Sequence, residues 1–220
     1  MINIAIDGPA GAGKSTVAKA IAKKMNITYL DTGAMYRAVA LKSILLGVDV
    51  DDEPSVVAFL PTVDLDIRYI DGVQHVYLDG KDVSSEIREH RISKAASDIS
   101  RIPAVRLRLV AMQRELASKY DCVLDGRDIT SYVLPNANCK FFITASPEVR
   151  AERRRKELEA KGEIVEFSAL LNDIKQRDYN DSHRDFAPLT LTDDSVLVDT
   201  SNMTIDEVVT YVLKVIEEKK

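Results

Sequence analysis

Apolar positions recur along this chain in two rhythms, and their alternation predicts its elements. Residues 2–6 form an apolar, β-branched run of strand length, and Val17, Ala18, Ile21 and Ala22 then repeat at helical spacing. A second buried strand is expected at 27–30, followed by a helix through Val39, Leu41 and Leu45. Asp52-Glu53-Pro54 reads as an N-cap and first turn, with Pro61 as the stop of a short helix. From Val63 the period changes to two. Residues 63–70 alternate, Asp71-Gly72 signals a turn, residues 74–78 alternate again, and Asp79-Gly80 signals another. Two hairpin signals in succession predict a small antiparallel sheet inserted at about 61–90. Residues 92–119 are expected to be helical, with Val105, Leu109, Met112 and Leu116 on one stripe and Pro103 opening the second of two helices. Short buried strands follow at 122–125 and 140–144. A charged helix that Gly162 closes and a further helix from Ser168 to the region of Pro188 come next. A last core strand is expected at 196–199, and Thr204-Ile205-Asp206-Glu207 then reads as a capping box. It opens a helix striped by Ile205, Val208, Val209, Val212, Leu213 and Ile216. Five strand-length runs separated by helices predict an α/β fold, a parallel sheet with helices on both faces.

The first strand runs into Asp7-Gly8-Pro9-Ala10-Gly11-Ala12-Gly13-Lys14-Ser15-Thr16. Gly8-x4-Gly13-Lys14-Ser15 is the P-loop pattern. Backbone N–H groups must curl around a phosphate, which small residues permit, and the helix that follows points its positive end at the anion. Lys14 would bring a point charge to the β- and γ-phosphates, and Ser15 an oxygen for Mg²⁺. Residues 8–16 are therefore the expected set for binding a nucleoside triphosphate. Asp125, an acid ending a buried strand, stands at a Walker-B position and is a second candidate Mg²⁺ ligand.

Charge narrows the partners. A net charge of -5 argues against a general nucleic-acid or membrane-surface partner, so any cationic site must be local. Apolar runs are short and broken by charges, so no transmembrane segment is expected. With the first strand starting directly after Met1, no signal peptide is expected. Cys122 and Cys139 lie in apolar, strand-like runs without His or Cys at metal spacing, as buried reduced thiols of a cytoplasmic protein would. No uncovered apolar stripe stands out, so a monomer is the default. Arg150, Arg153, Arg154, Arg155 and Lys156 crowd one helix among Glu148, Glu152, Glu157 and Glu159. They fit a solvated helix of i,i+4 pairs or a set of phosphate-binding arginines, and the residues alone leave both open.

No guanine-reading Asn/Thr-Lys-x-Asp and no Leu-Ser-Gly-Gly-Gln transporter signature occurs. Arg37, Arg106, Arg127, Arg177 and Arg184 lie outside the P-loop, more arginine than a triphosphate alone uses. An enzyme that passes a phosphoryl group to an acceptor that is itself a phosphate must hold two polyanions together, and that favours a nucleotide kinase over a switch. Other small-molecule kinases of this fold, UMP/CMP or shikimate kinases, remain open, as does a regulatory ATP-binding module that transfers nothing.

Nearly end to end, the chain resembles the bacterial cytidylate kinases (CMP/dCMP kinases). The resemblance is carried by residues 7–16, by Asp31-Thr32-Gly33-Ala34-Met35-Tyr36-Arg37, by Asp125-Gly126-Arg127-Asp128, by residues 144–154 and by Arg177-Asp178-x-x-Asp181-Ser182-x-Arg184-x-x-Ala187-Pro188-Leu189. It implies a P-loop kinase core at 1–34, 91–149 and 167–220, a monophosphate-binding region at 35–90 that holds the inserted sheet, and a short helical lid at 150–166. It also implies transfer of phosphate from ATP to CMP or dCMP with Mg²⁺. Thr32, Arg37, Arg127 and Arg184 would grip the monophosphate, and Tyr36, Arg177 and Asp181 would line the sugar. Ser97, Arg106 and Asp128 would read the cytosine edge, where the N4 amino group needs an acceptor. Lys14, Arg127, Arg184 and the lid arginines Arg153 and Arg154 would carry the catalysis. One departure stands out: the family continues Gly-Arg-Asp with Ile-Gly-Thr, and this chain has Ile129-Thr130-Ser131-Tyr132. Loss of that glycine would alter the loop if a positive φ were used there.

Overall fold

The structure, a computed structural model, describes residues 1–160 and 162–219. In chain order the elements are β1 (Asn3–Asp7), α1 (Lys14–Met25), β2 (Thr28–Asp31), α2 (Thr32–Leu46), α3 (Glu53–Phe59), β3 (Leu65–Ile70), β4 (Val73–Leu78), β5 (Lys81–Asp82), α4 (His90–Ile99) and α5 (Pro103–Ala117). There follow β6 (Cys122–Gly126), β7 (Cys139–Thr144), α6 (Pro147–Glu159), α7 (Phe167–His183), β8 (Val196–Asp199) and α8 (Ile205–Glu218).

The five expected core strands form one sheet in the order β2-β6-β1-β7-β8. β1 is central and parallel to both neighbours, with Ile4 opposite Val123 on one side and Cys139 on the other. Helices cover such a strand on both faces, so its residues need no polar alternation; Ile4, Ala5 and Ile6 are all fully buried. β3, β4 and β5 make the inserted antiparallel sheet. Its turns are Asp71-Gly72 (φ 51° and 75°) and Asp79-Gly80 (φ 50° and 79°), the paired left-handed residues that tight hairpins demand. Pro61 does not stop α3 at once. A 3₁₀ turn, Leu60–Thr62, continues from it, because the fixed φ of proline suits the first positions of such a turn.

The chain divides into two compact units, 1–27 with 121–220, and 28–120. In the second unit α4 and α5 pack against α2, which groups them with the antiparallel sheet. In the first, α8 opens on the Thr204–Glu207 capping box and packs against α1. The α6–α7 hairpin has a small core of its own, Ala151, Leu158, Leu170 and Ile174. Cys122 and Cys139 are buried thiols that form no disulfide, and burial pushes the Cys122 thiol up to about 12. No helix among the described residues is long and apolar enough to cross a membrane.

Candidate active site

The site of the first unit is built where β1 ends. Gly8 has φ 143°, and a Cβ there would lie 1.9 Å from the Ile143 carbonyl oxygen, so the turn can pass β7 only without a side chain. Gly13 (φ 89°) is the N-cap of α1 and brings no side-chain cap to its first N–H groups. Those donors face the phosphate position of a P-loop. Buried Lys14 donates from Nζ to the Pro9 carbonyl at 2.8 Å. Burial, then the Arg127 charge, pulls its pKa down to about 7 against the opposing pull of Asp125, Asp7 and Asp181. Ser15 Oγ donates to Asp125 Oδ2 at 2.8 Å. Two hard oxygens thus adjoin at the start of α1, a donor set that fits Mg²⁺, which takes few protein ligands and completes its shell from phosphate and water. Among the described residues no cluster of three or more His, Cys, Asp or Glu could hold a metal by itself.

Beside this lies a buried knot of arginines and acids. Arg127 Nε donates to Asp181 Oδ2 at 2.8 Å. Burial works against the Asp181 charge, but Arg127, Arg177 and Arg184 outweigh it and hold the carboxyl below the usual carboxylate range. Burial likewise opposes the Arg127 charge, and Asp181, Asp125 and Asp7 reverse that and raise its pKa. Arg184 donates from Nε to the Ala187 carbonyl at 2.7 Å, and its Nη2 stands 3.8 Å from Asp128 Oδ1.

Asp7 holds the loop after β6. Its carboxylate accepts the N–H groups of Ile129 (2.9 Å) and Thr130 (2.7 Å) and the Thr130 hydroxyl (2.7 Å). Burial first, then the Asp128 charge, raises the Asp7 pKa to about 6, while those hydrogen bonds pull it back. Residues Ile129–Val133 form a single π-helical turn, and Thr130 has no positive φ. The departure from the family pattern therefore costs no backbone strain, and the threonine gains a hydrogen bond that glycine lacks.

The second unit carries the remaining expected residues. Asp31 caps α2 by accepting the Ala34 N–H at 2.9 Å, and its other oxygen pairs with Arg37 Nη2 at 2.9 Å. A Cβ on Gly33 would stand 3.1 Å from Arg37 Nη1 and 3.3 Å from Asp31 Oδ1, so Gly33 makes room for this pair. Arg37 Nε is buried and has no hydrogen-bond partner. Thr32 is buried at the start of the same helix. Arg106, fully buried on α5, donates to the Ser100 carbonyl at 3.0 Å with its guanidinium 5.5 Å from the centre of the Tyr36 ring. Ser97 is half-buried on α4.

The sequence profile of the cytidylate kinases matches residues 4–218. The chain belongs to the cytidylate kinase family. It is 49% identical over 213 residues to the cytidylate kinase of Caldicellulosiruptor bescii, covering 97% of this chain and 94% of that one. To the cytidylate kinase of Pelotomaculum thermopropionicum it is 49% identical over 212 residues, covering 96% and 94%. The crystal structure of a gluconokinase from Sinorhizobium meliloti superposes at a TM-score of 0.52 and 16% identity, covering 99% and 92%, a likeness of fold alone.

In this member of the cytidylate kinase family the arginines of α6 divide by partner. Arg153 donates to the Thr200 hydroxyl (3.1 Å) and carbonyl (2.8 Å), and that hydroxyl lies between two acceptors, the Thr144 carbonyl at 3.0 Å and the Ala12 carbonyl of the P-loop at 3.3 Å. Arg154 pairs with Glu157, and Arg155 with Glu152 and Glu159, along the helix surface. Of the expected lid, 150–166, position 161 lies outside the described residues. Arg150, expected only as one cation of this charged run, has a different role. It is buried, grips Asp178 with both terminal nitrogens (3.0 and 2.6 Å) and donates to the Ala10 carbonyl at 3.1 Å, tying α6 and α7 to the P-loop. A signal existed: Ala151 and Leu158, seven residues apart, mark the buried face of α6, and Arg150 flanks it. Asp7 was passed over, because a residue that closes a buried strand gives no sign of what it accepts.

Proposed function

We propose that this chain transfers the γ-phosphoryl group of ATP to CMP or dCMP, giving ADP and (d)CDP. The observation that carries the reading is buried arginine in excess of what a triphosphate needs, beside a complete Lys14, Ser15 and Asp125 set, in a chain of the cytidylate kinase family. Residues 8–16 would bind the ATP phosphates. Ser15 and Asp125 would hold Mg²⁺, which neutralises phosphate charge when bound. Thr32, Arg37, Arg127 and Arg184 would grip the acceptor phosphate, Tyr36, Arg177 and Asp181 the sugar, and Ser97, Arg106 and Asp128 the cytosine. We assign residues 35–90 to the monophosphate and 150–166, with Arg153 and Arg154, to a lid over the phosphates.

The acceptor is a phosphate oxygen already deprotonated near neutral pH, so no strong base is required. The work of these residues is to align two polyanions and to offset the charge that crowds between them. Lys14, whose pKa of about 7 reflects burial beside Arg127, takes up its full charge when phosphate replaces the Pro9 carbonyl as its partner. Arg127 and Arg184 are pre-aimed by Asp181 and by the Ala187 carbonyl, so little reorganisation remains to be done on binding. Both substrates are soluble nucleotides, and the reading has the chain act as a cytoplasmic monomer. With γ-labelled ATP and Mg²⁺, label should pass into CDP and dCDP; label released only as inorganic phosphate would overturn the assignment.

A further inference from the structure

We infer that Gln74, on the inserted antiparallel sheet, is a positioning residue for Arg37: its side-chain amide brackets the backbone of Asp31, the residue that holds Arg37. The inference rests on the reading of Arg37 as an acceptor-phosphate ligand. Asp31 N–H donates to Gln74 Oε1 at 2.7 Å, and Gln74 Nε2 donates back to the Asp31 carbonyl at 3.2 Å. One residue thus exchanges both its backbone hydrogen bonds with one partner, which is the pattern of a hydrogen-bonded antiparallel pair. β2 is a terminal strand in the sheet order, so its last residue has an edge to fill, and the amide of Gln74 fills it.

What is fixed there matters because of what Asp31 does. One carboxylate oxygen caps α2 and the other orients Arg37, at 2.9 Å each. Gly33 leaves no more room than the pair needs, so a shift of the Asp31 backbone moves the guanidinium with it. Arg37 Nε is buried and has no hydrogen-bond partner, so Asp31 is what holds the guanidinium by hydrogen bonding. Gln74 is itself held by β4, in register with Tyr69 on β3, so the antiparallel sheet acts as the brace for this arginine. Only glutamine has the required shape. Leucine offers neither bond, and glutamate keeps the acceptor but sets a second oxygen against the Asp31 carbonyl.

The test is steady-state kinetics on Gln74→Leu, Gln74→Glu, Arg37→Ala and the Gln74→Leu/Arg37→Ala double variant, with CMP and ATP varied separately. Gln74→Leu should raise KM for CMP by about fivefold to tenfold and leave KM for ATP within about twofold, with Gln74→Glu in between. In the Arg37→Ala background Gln74→Leu should add less than about twofold, because the group it positions is gone. Equal effects on both substrates, or an undiminished Gln74→Leu effect without Arg37, would overturn the inference, since a structural brace alone would act that way. Should Arg37→Ala raise KM for CMP while Gln74→Leu does not, the inference fails and the reading of Arg37 stands. An Arg37→Ala variant with unchanged KM for CMP would overturn both.

Discussion

Thr130→Val keeps the shape of the side chain and removes one donor from a buried carboxylate, so its cost should depend on whether Asp7 is charged. Asp7 is fully buried and accepts three hydrogen bonds, two of them from Thr130. A hydrogen bond to a charged group is worth about 1.5–3 kcal/mol, and one to a neutral group about 0.5–1.5 kcal/mol. The difference, about 1.4 kcal/mol, is about one pKa unit. The sign follows from the raised pKa. Folded Asp7 holds its proton up to about pH 6, against 3.8 unfolded, so its contribution favours folding at low pH and is lost as pH rises through about 6. In Thr130→Val the folded pKa moves about one unit higher still, and the loss continues over that further unit. The variant should therefore be destabilised by about 1 kcal/mol at pH 5 and by about 2–3 kcal/mol at pH 8. Urea denaturation at pH 5, 6, 7 and 8 reads this directly, with a midpoint shift near 1 M at pH 8. A destabilisation that is the same at every pH would refute the reasoning, because it would mean that the hydroxyl does not interact with an ionised Asp7.

Two further predictions concern the site. Lys14, with a pKa near 7, is largely neutral at pH 8 and should take up about 0.9 of a proton when Mg·ATP binds. Calorimetry at pH 8 in Tris and in phosphate should then give binding enthalpies that differ by nearly the difference in buffer ionisation heat, and Lys14→Met should abolish that difference. Equal enthalpies in the two buffers for the unaltered chain would contradict the lowered pKa. Asp128→Ala should lower kcat/KM for CMP by about 10–100-fold and barely change it for UMP, because the N4 amino group loses its acceptor. An unchanged CMP-to-UMP ratio would mean that the base is read elsewhere.

Local features were legible in the sequence because their causes are local. The P-loop glycines, the two Asp-Gly turns and the Thr204–Glu207 cap each arise from a few neighbouring residues, and each stands where the pattern predicts. The five core strands were legible because burial on both faces forces apolar runs. What escaped reading depends on partners far along the chain. Thr130 meets Asp7 across 123 residues, Gln74 meets Asp31 across 43, and Arg150 meets Asp178 across 28. No periodicity encodes such pairs. The charged run on α6 shows the same limit. Its composition admits solvated pairs and phosphate ligands alike, and only the partners separate Arg153, joined to Thr200, from Arg154 and Arg155, paired with glutamates of their own helix. Threonine at 130 looked like a threat to the loop because glycine suggests a positive φ, and the backbone uses none there.

The decisive measurement is ADP release in a coupled assay with ATP and Mg²⁺, offering CMP, dCMP, UMP, AMP and shikimate one at a time. Rapid turnover with CMP and dCMP, weak turnover with UMP and none with AMP or shikimate is the expected result. Turnover mainly with another acceptor, or tight ATP binding with no turnover at all, would contradict the assignment of this chain as a (d)CMP kinase.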